Sequence, residues 1–581
     1  MDTETKRHID AARQVLVGVV PNPTSQIDQI TNALIYKFMD DMDQAAIKAG
    51  GKPSFFTGDL ERYAWTRLMD ARMGNQERMN LYSEALIKFS EAKQLPDLFR
   101  SIFKSAFLPY RSPEVLGLFL KEIGYFDYSH PEELGNAYEY LLSIMSSQGD
   151  AGQFRTPRHI IDFIVDVVNP TEDDKVLDPA CGTGGFLVKS YQHILQNHDG
   201  KNESNEKNKP LTPDQRRSLM NNFEGYDIDP TMVRISQVNM YLHQFKNPNI
   251  YQYDTLSMEE RWSDKFDVIL ANPPFMSPKG GIQPHTKFTV PSSRSEVLFV
   301  DYIMNHLRPK GRAGVIVPEG IIFQSGSAHK QLRKNLVEDG LYAVVSLPSG
   351  VFAPYSGVKT SVLLFNNELA KSAKEILFVK IENDGFDLGA SKRPINKNDL
   401  PKALEIINLW KTGKKLEEKL AVYVEKSKIA ENGDYNLSGD RYRIATNYSN
   451  TKWPIVELGE IAEILKGNSI TKKDITEGDI PVIAGGQQPA YYHNQPNRNG
   501  DIITISASGA YAGFVNFFST PIFASDCSTI QSKNKDEVST KYIFNVLKTE
   551  QNKIYELQQG MGQPHVYAKD LAKIRIPLPP L

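Results

Sequence analysis

Short apolar segments alternate with segments of helical periodicity between about residues 150 and 385. The apolar segments are three to five residues long, and they are Lys175–Leu177, Phe223–Tyr226, Val268–Leu270, Ala313–Val317 and Tyr342–Ser346. This alternation is typical of a parallel β-sheet whose connecting helices cover its faces. No other feature constrains the chain as strongly, and it predicts an α/β fold built around one sheet.

The regions on either side of this pattern have different local character. Residues 1–145 show helical spacing, and Ser25 is a candidate N-cap before the apolar positions that follow it. Residues 386–450 are basic and mixed, whereas short strands separated by Gly, Asn and Pro turns fill residues 451–581. We therefore predict an N-terminal helical domain (1–145), a central α/β domain (146–385), a basic helical connector (386–450) and a β-rich α+β domain (451–581).

Composition narrows the classes of protein to which the chain can belong. Its 581 residues are 40% hydrophobic and 24% charged, as in ordinary globular proteins. No run approaches the roughly 18 apolar residues of a membrane span, and the N-terminus lacks the apolar core of a secretion signal. Cys181 and Cys527 are too few for a disulfide framework or a cysteine-based zinc site. We expect a cytoplasmic protein with no membrane segment and no metal site.

The net charge of -3 argues against a globally basic nucleic-acid binder. Residues 392–428 nevertheless hold ten Lys or Arg against five Asp or Glu. A solvated helix face is the simpler explanation for this stretch. A strip that faces nucleic-acid phosphates is the alternative.

A glycine-rich turn follows the first apolar segment in "DKVLDPACGTGGFLVKSY". Gly182, Gly184 and Gly185 allow a ligand to approach the backbone closely, and the following helix offers unpaired N–H groups. The turn lacks the Lys of a Walker A loop and the spacing of a G-x-G-x-x-G dinucleotide turn. Asp178 at the strand end suits a cationic or amine-bearing ligand better than a pyrophosphate. The turn alone leaves the ligand open.

Carboxylates follow the next predicted strand and a short apolar stretch after it. Asp227 ends the segment Phe223–Tyr226, where a carboxylate can accept hydrogen bonds from both hydroxyls of a ribose. It follows Asp178 by 49 residues rather than the usual ~20, and the polar stretch Asn197–Gln215, which we predict to be a mobile surface insertion, accounts for the excess. Asp229 is explained as an N-cap with Pro230 at the first helical position. Asp254 lies in a turn, where a carboxylate can accept from an adenine amine.

The segment "FDVILANPPF" carries the fourth polar strand end. Two prolines must end the apolar strand, because proline lacks the N–H that a strand ladder needs. Asn272-Pro273-Pro274-Phe275 is therefore either a strand stop with one core Phe or a site that grips a flat, amine-bearing ring. Four polar strand ends fit a ligand crevice at the carboxyl edge of a parallel sheet.

Together "DPACGTGGF" and "ANPPF" resemble the amino-group DNA methyltransferases that use S-adenosylmethionine. "GDAGQFRTPRHI" (Gly149–Ile160) is similar to the segment that closes over the cofactor's methionine end. "LRPKGRAGVIVPEGIIF" and "VVSLPSGVFAPYSGVKTSVLLF" look like the modification subunit of type I restriction-modification systems. The resemblance covers about residues 1–440, and it implies a Rossmann-like methyltransferase core.

The resemblance also implies roles for individual residues. It implies cofactor binding by Thr156, Asp178, Ala180, Gly182, Gly184, Asp227 and Asp254. It implies catalysis by Asn272, Pro273, Pro274 and Phe275, which would grip and stack on a flipped-out adenine without a metal. Asparagine at the first position goes with adenine N6, whereas serine tends to go with cytosine N4, so N4-cytosine methylation is the alternative. Release-factor glutamine methyltransferases share the motif but are small enzymes with nothing like residues 1–145 or 453–581.

The C-terminal region resembles a target recognition domain of type I specificity subunits from "WPIVELGEIAEILKGNSITKKDI" onward. Such a fusion implies double-stranded DNA as partner, with self-association or a separate specificity subunit supplying any second domain. The sequence shows no nuclease or Walker A motif, so cleavage would need a separate restriction or translocase subunit. A DNA-specificity or assembly protein with vestigial methyl transfer is the alternative from another functional class. In the family, the chain usually continues past the position of Leu581 into a long spacer helix.

Overall fold

A computed structural model describes most of the chain. The described residues are 3–104, 106–126, 131–145, 156–198, 210–275, 283–353, 358–387, 392–442, 453–486, 488–509, 511–558 and 565–579. They divide into two compact units, Met1–Leu437 and Ser438–Leu581. Within the described part of the chain, no helix combines the length and the apolar character needed to cross a membrane.

Helices make up the N-terminal part of the first unit. They are α1 (Thr3–Val17), α2 (Pro23–Lys48), α3 (Trp65–Leu68), α4 (Asn75–Glu91), α5 (Asp97–Phe103), α6 (Pro113–Gly124) and α7 (Pro131–Met145), with a 3-10 turn at Gly58–Tyr63. Asn22 is the N-cap of α2, and its side chain accepts a hydrogen bond from the Ser25 N–H at 3.2 Å. The predicted Ser25 cap is therefore wrong, because the helix begins at Pro23, three residues before the start that a Ser25 cap implies.

Aromatic rings fill the centre of the helical part. The Tyr36 ring lies 4.7 Å from Phe89 and 5.5 Å from Trp65, both edge-on, and it stacks on Tyr82 at 5.8 Å. Rings at these distances and angles add to the free energy gained from apolar burial. The predicted helices of the N-terminal region thus pack around a core with aromatic rings at its centre.

A nine-stranded sheet forms the centre of the described first unit. Its strands are β1 (Val176–Asp178), β2 (Phe223–Asp227), β3 (Asn249–Gln252), β4 (Phe266–Ala271), β5 (Leu307–Pro318), β6 (Leu341–Ser346), β7 (Thr360–Asn366), β8 (Glu375–Lys380) and β11 (Ala421–Glu425). Their order is β11-β8-β6-β7-β5-β4-β1-β2-β3. Each of the five predicted strands is present, with bounds that differ by one to six residues at an end.

The sheet is mixed rather than wholly parallel. Strands β3, β2, β1, β4 and β5 run parallel to one another, but β7 runs antiparallel to both β5 and β6, and β11 runs antiparallel to β8. The prediction of a parallel sheet is therefore correct only for the half that begins at β3. Apolar runs reveal buried strands but carry no information about strand direction, which depends on the path of each connection.

Helices cover both faces of this sheet. They are α8 (Arg158–Val168), α9 (Gly185–His198), α10 (Pro213–Met220), α11 (Pro230–Leu242), α12 (Ser295–His306), α13 (Glu319–Phe323), α14 (Ser327–Asp339), α15 (Asn367–Ser372), α16 (Leu400–Lys411) and α17 (Lys426–Ala430), with a small hairpin of β9 (Asp384–Phe386) and β10 (Pro394–Asn398). Apolar residues of α16 share one core with α8 and the sheet. The region predicted as a basic connector (386–450) thus contributes α16 and β11 to the first unit.

Helix α11 packs into two hydrophobic cores. In α11, Met232, Ile235 and Val238 pack into the core of the N-terminal helices, whereas Val233 and Met240 pack into the core of the sheet. A helix with apolar residues on two faces joins two layers of structure. The N-terminal helices and the sheet are consequently parts of one compact unit.

The second unit is rich in β-structure, as predicted. Its elements are β12 (Ile455–Glu457), α18 (Leu458–Ile461), β13 (Ala462–Lys466), β14 (Ile480–Ile483), β15 (Tyr491–His493), β16 (Ile502–Ser506), β17 (Val515–Phe518), β18 (Phe523–Ala524), β19 (Cys527–Ser532), α19 (Thr540–Thr549), α20 (Gln551–Glu556), α21 (Ala568–Leu571) and β20 (Arg575–Pro577). A sheet with the order β13-β19-β16-β17 carries the main core, beside a smaller sheet β15-β14-β18. The pair β12–β20 joins the two ends of the unit.

Replacement of Gly314 by Ala should destabilise the first unit. A Cβ at Gly314 in β5 would lie 2.5 Å from Ile164 Cγ2 and 3.1 Å from Val168 Cγ2 on α8. Overpacking of this kind costs about 1–3 kcal/mol. Gly18→Ala is the control, because a Cβ there meets nothing within 4 Å. Chemical denaturation of the two variants checks this, and equal midpoints would contradict the close α8–β5 contact.

Candidate active site

Four neighbouring parallel strands bring the predicted polar residues to one edge of the sheet. The spatial order is β3, β2, β1, β4, and the carboxyl ends of these strands carry Asp254, Asp227, Asp178 and Asn272 respectively. Neighbouring strands lie about 4.8 Å apart, so the four ends span roughly 15 Å. The chain order of the motifs does not show this arrangement, because β1 lies between β2 and β4. The chain changes direction across the sheet at β1, where open α/β sheets bind ligands.

The glycine-rich turn has the conformation that its sequence suggested. Gly182 and Gly184 have φ values of +52° and +76°, in the region that favours glycine. The Cys181 N–H donates to the Tyr226 carbonyl at 2.8 Å, which ties the turn to β2. A Cβ at Gly182 would meet no atom within 4 Å, whereas one at Gly184 would lie 2.7 Å from Ser236 Oγ. The turn therefore presents bare backbone on the Gly182 side and packs on α11 at Gly184.

Asp178 is a buried carboxyl group. Its side chain is 2% exposed, and Oδ1 accepts a hydrogen bond from the Ala180 N–H at 3.1 Å. Burial and, to a smaller extent, the nearby Asp227 raise the pKa of Asp178 to about 8, even though the Ala180 hydrogen bond acts to lower it. The ionised form is thus disfavoured where the protein alone surrounds it.

Asp227 is fixed by backbone donors on both sides. Its Oδ2 accepts from the Gly182 N–H and its Oδ1 from the Asp229 N–H, both at 2.9 Å. Burial raises the pKa of Asp227 as well, and these hydrogen bonds act in the opposite direction. The buried Asp178 and the partly buried Asp227 on adjacent strands make the site favourable for a positively charged ligand, whose charge would stabilise their ionised forms.

Asp254 and Asp229 both bond within their own turns. Asp254 lies two residues past the end of β3, and its carboxyl accepts from the Leu256 N–H at 3.0 Å and from the Ser257 hydroxyl. A carboxylate has further lone pairs, so these bonds leave acceptor capacity. Asp229 is the N-cap of α11, with Pro230 after it, as predicted.

The sequence interpretation missed the apolar part of this edge. Ile228, directly after Asp227, is 57% exposed. Beyond β3, Leu256, Leu298 and Phe299 form a small buried cluster against which Ala180 packs. The sequence did carry a signal for this part of the edge, namely an isoleucine between two acidic residues. A large apolar side chain beside polar strand ends suits a flat ring.

Asn272 has one half of its side-chain amide bonded and the other half free. Nδ2 donates to Thr156 Oγ1 at 3.0 Å. Oδ1 is buried and has no hydrogen-bond partner. A buried, unpaired carbonyl oxygen is costly, and such groups need an explanation. The side chain is therefore an oriented acceptor, and Thr156, which we had predicted to contact a cofactor, lies where it orients this acceptor.

The two prolines and the phenylalanine form a constrained turn. Pro273 is buried, Pro274 is exposed, and the Ser295 hydroxyl at the start of α12 donates to the Pro274 carbonyl at 3.1 Å. Phe275 is half-buried and packs against the core of the sheet. Part of its ring is thus used for packing, and its predicted stacking on a base remains a prediction.

Some predicted segments lie wholly or partly outside the described residues. Residues 149–155 of the stretch similar to a cofactor-closing segment are among them, and so are residues 199–209 of the predicted surface insertion. Thr156 is the first described residue after the former gap. Among the described residues, no group of three or more His, Cys, Asp or Glu side chains could hold a metal ion.

Several lysines of the basic stretch bond to groups of the protein itself. Lys402 pairs with Glu405 and Glu418 at 3.1 Å each, and Lys415 pairs with Glu375 at 2.6 Å. Burial lowers the pKa of Lys411 to about 8, and its ammonium donates to a backbone carbonyl of α8. These contacts favour the solvated and packed face over the phosphate-facing strip.

In the second unit, Arg498 has a structural role. Its guanidinium donates to Thr529 Oγ1 at 3.0 Å and to the carbonyls of Asn497 and Lys466 at 2.8 and 2.9 Å. Tyr511, in contrast, is 46% exposed. Gln563 lies outside the described residues.

Two family models match the chain. The one described as N-6 DNA Methylase matches residues 129–451, which is more than half of the chain. The one described as Type I restriction modification DNA specificity domain matches residues 450–581. The two matches together run from the last N-terminal helix to residue 581.

Curated relatives are methylase subunits of type I restriction enzymes. The EcoEI subunit of Escherichia coli is 31% identical over 286 residues, which are 48% of this chain and 56% of that protein. The HindI subunit of Haemophilus influenzae is 24% identical over 367 residues, 61% of this chain and 78% of that protein. The chain spans little more than half the length of the EcoEI subunit and of the StySJI subunit of Salmonella typhimurium.

Solved structures agree with this fold. A chain of the type I R-M system, from a structure on complex assembly and conformational transition, gives a TM-score of 0.60 at 25% identity, covering 75% of this chain and 89% of that one. The methyltransferase subunit of the type I restriction-modification system of Streptococcus thermophilus gives 0.58 at 17% identity, covering 74% and 98%. The predicted α/β methyltransferase fold with a C-terminal β-rich region is confirmed.

Replacement of Asp178 by Asn should stabilise the protein more at pH 8 than at pH 5. The folded protein keeps the Asp178 proton up to about pH 8, whereas the unfolded chain loses it near pH 4. Between these values the folded state binds more protons, so its free energy of unfolding falls as pH rises, and Asn removes that loss. Thermal midpoints at both pH values check this. Asp173→Asn, at an exposed carboxylate, is the control, and an Asp178→Asn gain that does not grow with pH would contradict the assignment.

Proposed function

Because this chain belongs to the N-6 DNA methylase family and joins it to a C-terminal DNA specificity domain, we propose that it is a sequence-specific DNA methyltransferase. It transfers a methyl group from S-adenosylmethionine to N6 of an adenine that is flipped out of double-stranded DNA. It acts as the modification component of a restriction-modification or related defence system.

The unpaired Asn272 Oδ1 is the observation that carries this proposal. An exocyclic amine is a hydrogen-bond donor, and a buried carbonyl oxygen without a partner is the acceptor that it needs. The bond from Nδ2 to Thr156 Oγ1 holds the side chain in place and leaves Oδ1 as the free acceptor of the amide. Asn272 is therefore oriented before the substrate arrives, and orientation of this kind lowers the entropic part of the barrier.

The chemistry of the amine explains why an asparagine is suited to this place. The lone pair of an exocyclic amine is delocalised into the base, so the nitrogen is a weak nucleophile. Acceptance of its hydrogens by Asn272 Oδ1 and by the Pro273 carbonyl would hold the nitrogen with its lone pair directed at the methyl group. Stacking on Phe275 would add roughly 1–3 kcal/mol of base binding, which helps to offset the cost of unstacking the base.

The residues of the other three strand ends fit the proposed cofactor. When bound, S-adenosylmethionine supplies an electrophilic methyl group and carries positive charge on its sulfonium and ammonium groups. Buried Asp178, whose pKa is raised to about 8 by desolvation, gains a counter-charge from such a ligand. Asp227, held by the Gly182 N–H, would accept from the ribose hydroxyls, and exposed Ile228 would cover the adenine ring.

The second unit and its family match indicate how a target site would be selected. A specificity domain on the catalytic chain would deliver one DNA segment to the site on the first unit. We propose self-association, or a separate specificity subunit, for recognition of a second segment, and a separate restriction subunit for any cleavage.

Methyl transfer from labelled cofactor tests the proposal directly. The full chain is incubated with tritiated S-adenosylmethionine and DNA, and the labelled nucleoside is identified after digestion. Label in N6-methyladenine supports the proposal. Label in N4-methylcytosine would show instead that the methyl group is transferred to the exocyclic amine of cytosine. Binding of both cofactor and DNA without transfer would favour a specificity or assembly protein instead.

Replacement of Asn272 by Ala should lower the rate of methyl transfer by at least about 100-fold, by analogy with loss of a preorganised hydrogen-bonding group in an active site. Cofactor affinity should stay nearly unchanged, because Asn272 bonds to the amine rather than to the cofactor. Single-turnover rates and calorimetric titration of the cofactor check the two parts. Loss of cofactor binding in this variant would contradict the separation of roles.

Replacement of Thr156 by Val should lower the transfer rate by about tenfold, the cost of one lost hydrogen bond that orients a buried group. Thr156→Ser is the matched control, because it keeps the hydroxyl that accepts from Asn272 Nδ2. Both variants should bind cofactor like the unmodified protein. A weakened cofactor affinity with an unchanged rate at saturation would instead favour direct contact of Thr156 with the cofactor.

A further inference from the structure

A carboxylate from the N-terminal helices contacts two of the helices that pack on the sheet. Glu139 lies on α7, and its side chain is 14% exposed. Oε1 accepts from Asn239 Nδ2 at 2.6 Å, and Oε2 accepts from Arg158 Nη2 at 3.4 Å. Asn239 is on α11, and Arg158 is the first residue of α8. One side chain of the helical part thus contacts the two helices that lie behind the site.

Asn239 links Glu139 to the glycine-rich turn. Its side chain is completely buried, and Nδ2 donates both to Glu139 Oε1 and to the Thr183 carbonyl, the latter at 2.9 Å. Oδ1 has no hydrogen-bond partner. The opposite orientation of the amide would place Oδ1 against two acceptor oxygens, so the two acceptors together fix the side chain. Thr183 lies between the two glycines of positive φ, and its carbonyl therefore sets the path of the turn.

Helix α7 packs closely against the end of α11 at Gly135. A Cβ at Gly135 of α7 would lie 3.0 Å from the Leu242 carbonyl and 3.1 Å from His243 Cε1, at the end of α11. Glu139 is one helical turn further along α7, so its position relative to Asn239 is set by this contact. The side chain of Arg234 on α11 also pairs with Asp28 of α2.

The two contacts of Glu139 differ in strength. Arg158 is 62% exposed and its contact is long, so solvent screens the pair. The bond to Asn239 is short, charge-assisted and closed to water on the Asn239 side, which makes it the stronger contact. The effect of Glu139 is therefore expected on the glycine-rich turn rather than on the start of α8.

We propose that Glu139 is a positioning residue for the glycine-rich turn, and that through Asn239 the N-terminal helices hold the Thr183 carbonyl in the conformation that binds cofactor. The helical part is thereby a component of the cofactor site and not only a packing domain. The proposal rests on the proposed function, because it takes S-adenosylmethionine as the ligand of the turn.

A double-mutant cycle on the full chain tests this role. Glu139→Ala, Asn239→Ala and the double variant are titrated calorimetrically with S-adenosylmethionine, alongside Glu139→Gln. Glu77→Ala, at an exposed carboxylate of α4, is the control. Each single Ala variant should weaken cofactor binding about tenfold, and the double variant should lose no more, because residues of one network are not additive. Glu139→Gln should lose less, since its Oε1 still accepts from Asn239 without the charge.

Kinetics separate positioning from a general structural effect. For Glu139→Ala, the KM for cofactor should rise about tenfold, whereas kcat at saturating cofactor and DNA affinity should stay within about twofold. The role of Glu139 would be overturned by an unchanged cofactor affinity in Glu139→Ala. It would also be overturned if the two single losses multiplied to about 100-fold in the double variant. Neither result would affect the proposed function. Absence of cofactor binding by the unmodified protein would overturn the proposed function and this role together.

Discussion

Parallel pairing of β1 with β2 on one side and β4 on the other is the constraint on which the site depends. Main-chain hydrogen bonds fix the register Asp178↔Gly225 and Leu177↔Ile269. Since parallel strands end at the same edge, the glycine-rich turn, Asp227 and Asn272 lie side by side. Their separations follow from the spacing of strands and need no contact between the motifs themselves. A change that shifts one strand would therefore disturb all of them.

The site holds polar groups in states that cost stability. Burial raises the pKa of Asp178 to about 8, and Asn272 Oδ1 has no partner. Both groups would be better solvated in the unfolded chain, so folding works against them. The surrounding structure offsets part of this cost through the bond from the Ala180 N–H to Asp178 and through the bond from Asn272 to Thr156. Polar groups that lack a hydrogen-bond partner or a counter-charge are expected at a site where a charged or amine-bearing ligand supplies it.

Two helices connect the site to the rest of the first unit. Close contact at Gly314 sets the distance of α8 from β5, and Thr156 lies two residues before this helix. On the other side, α11 carries Asn239 under the turn and shares its second face with the N-terminal helices. The orientation of the acceptor and the shape of the turn thus depend on packing outside the site.

The sequence by itself determined the α/β character, the five strands it predicted and the four polar residues that lie at strand ends, because burial and turn chemistry leave local patterns. Tertiary structure alone decided that β1 lies between β2 and β4, that β7 and β11 run antiparallel, and that α11 supports two cores. It also decided the partners of Thr156 and Glu139, which bond to Asn272 116 residues away and to Asn239 100 residues away. The physical reason is that hydropathy and turn residues report the surroundings of each short segment, whereas strand order and long-range hydrogen bonds depend on how distant segments pack.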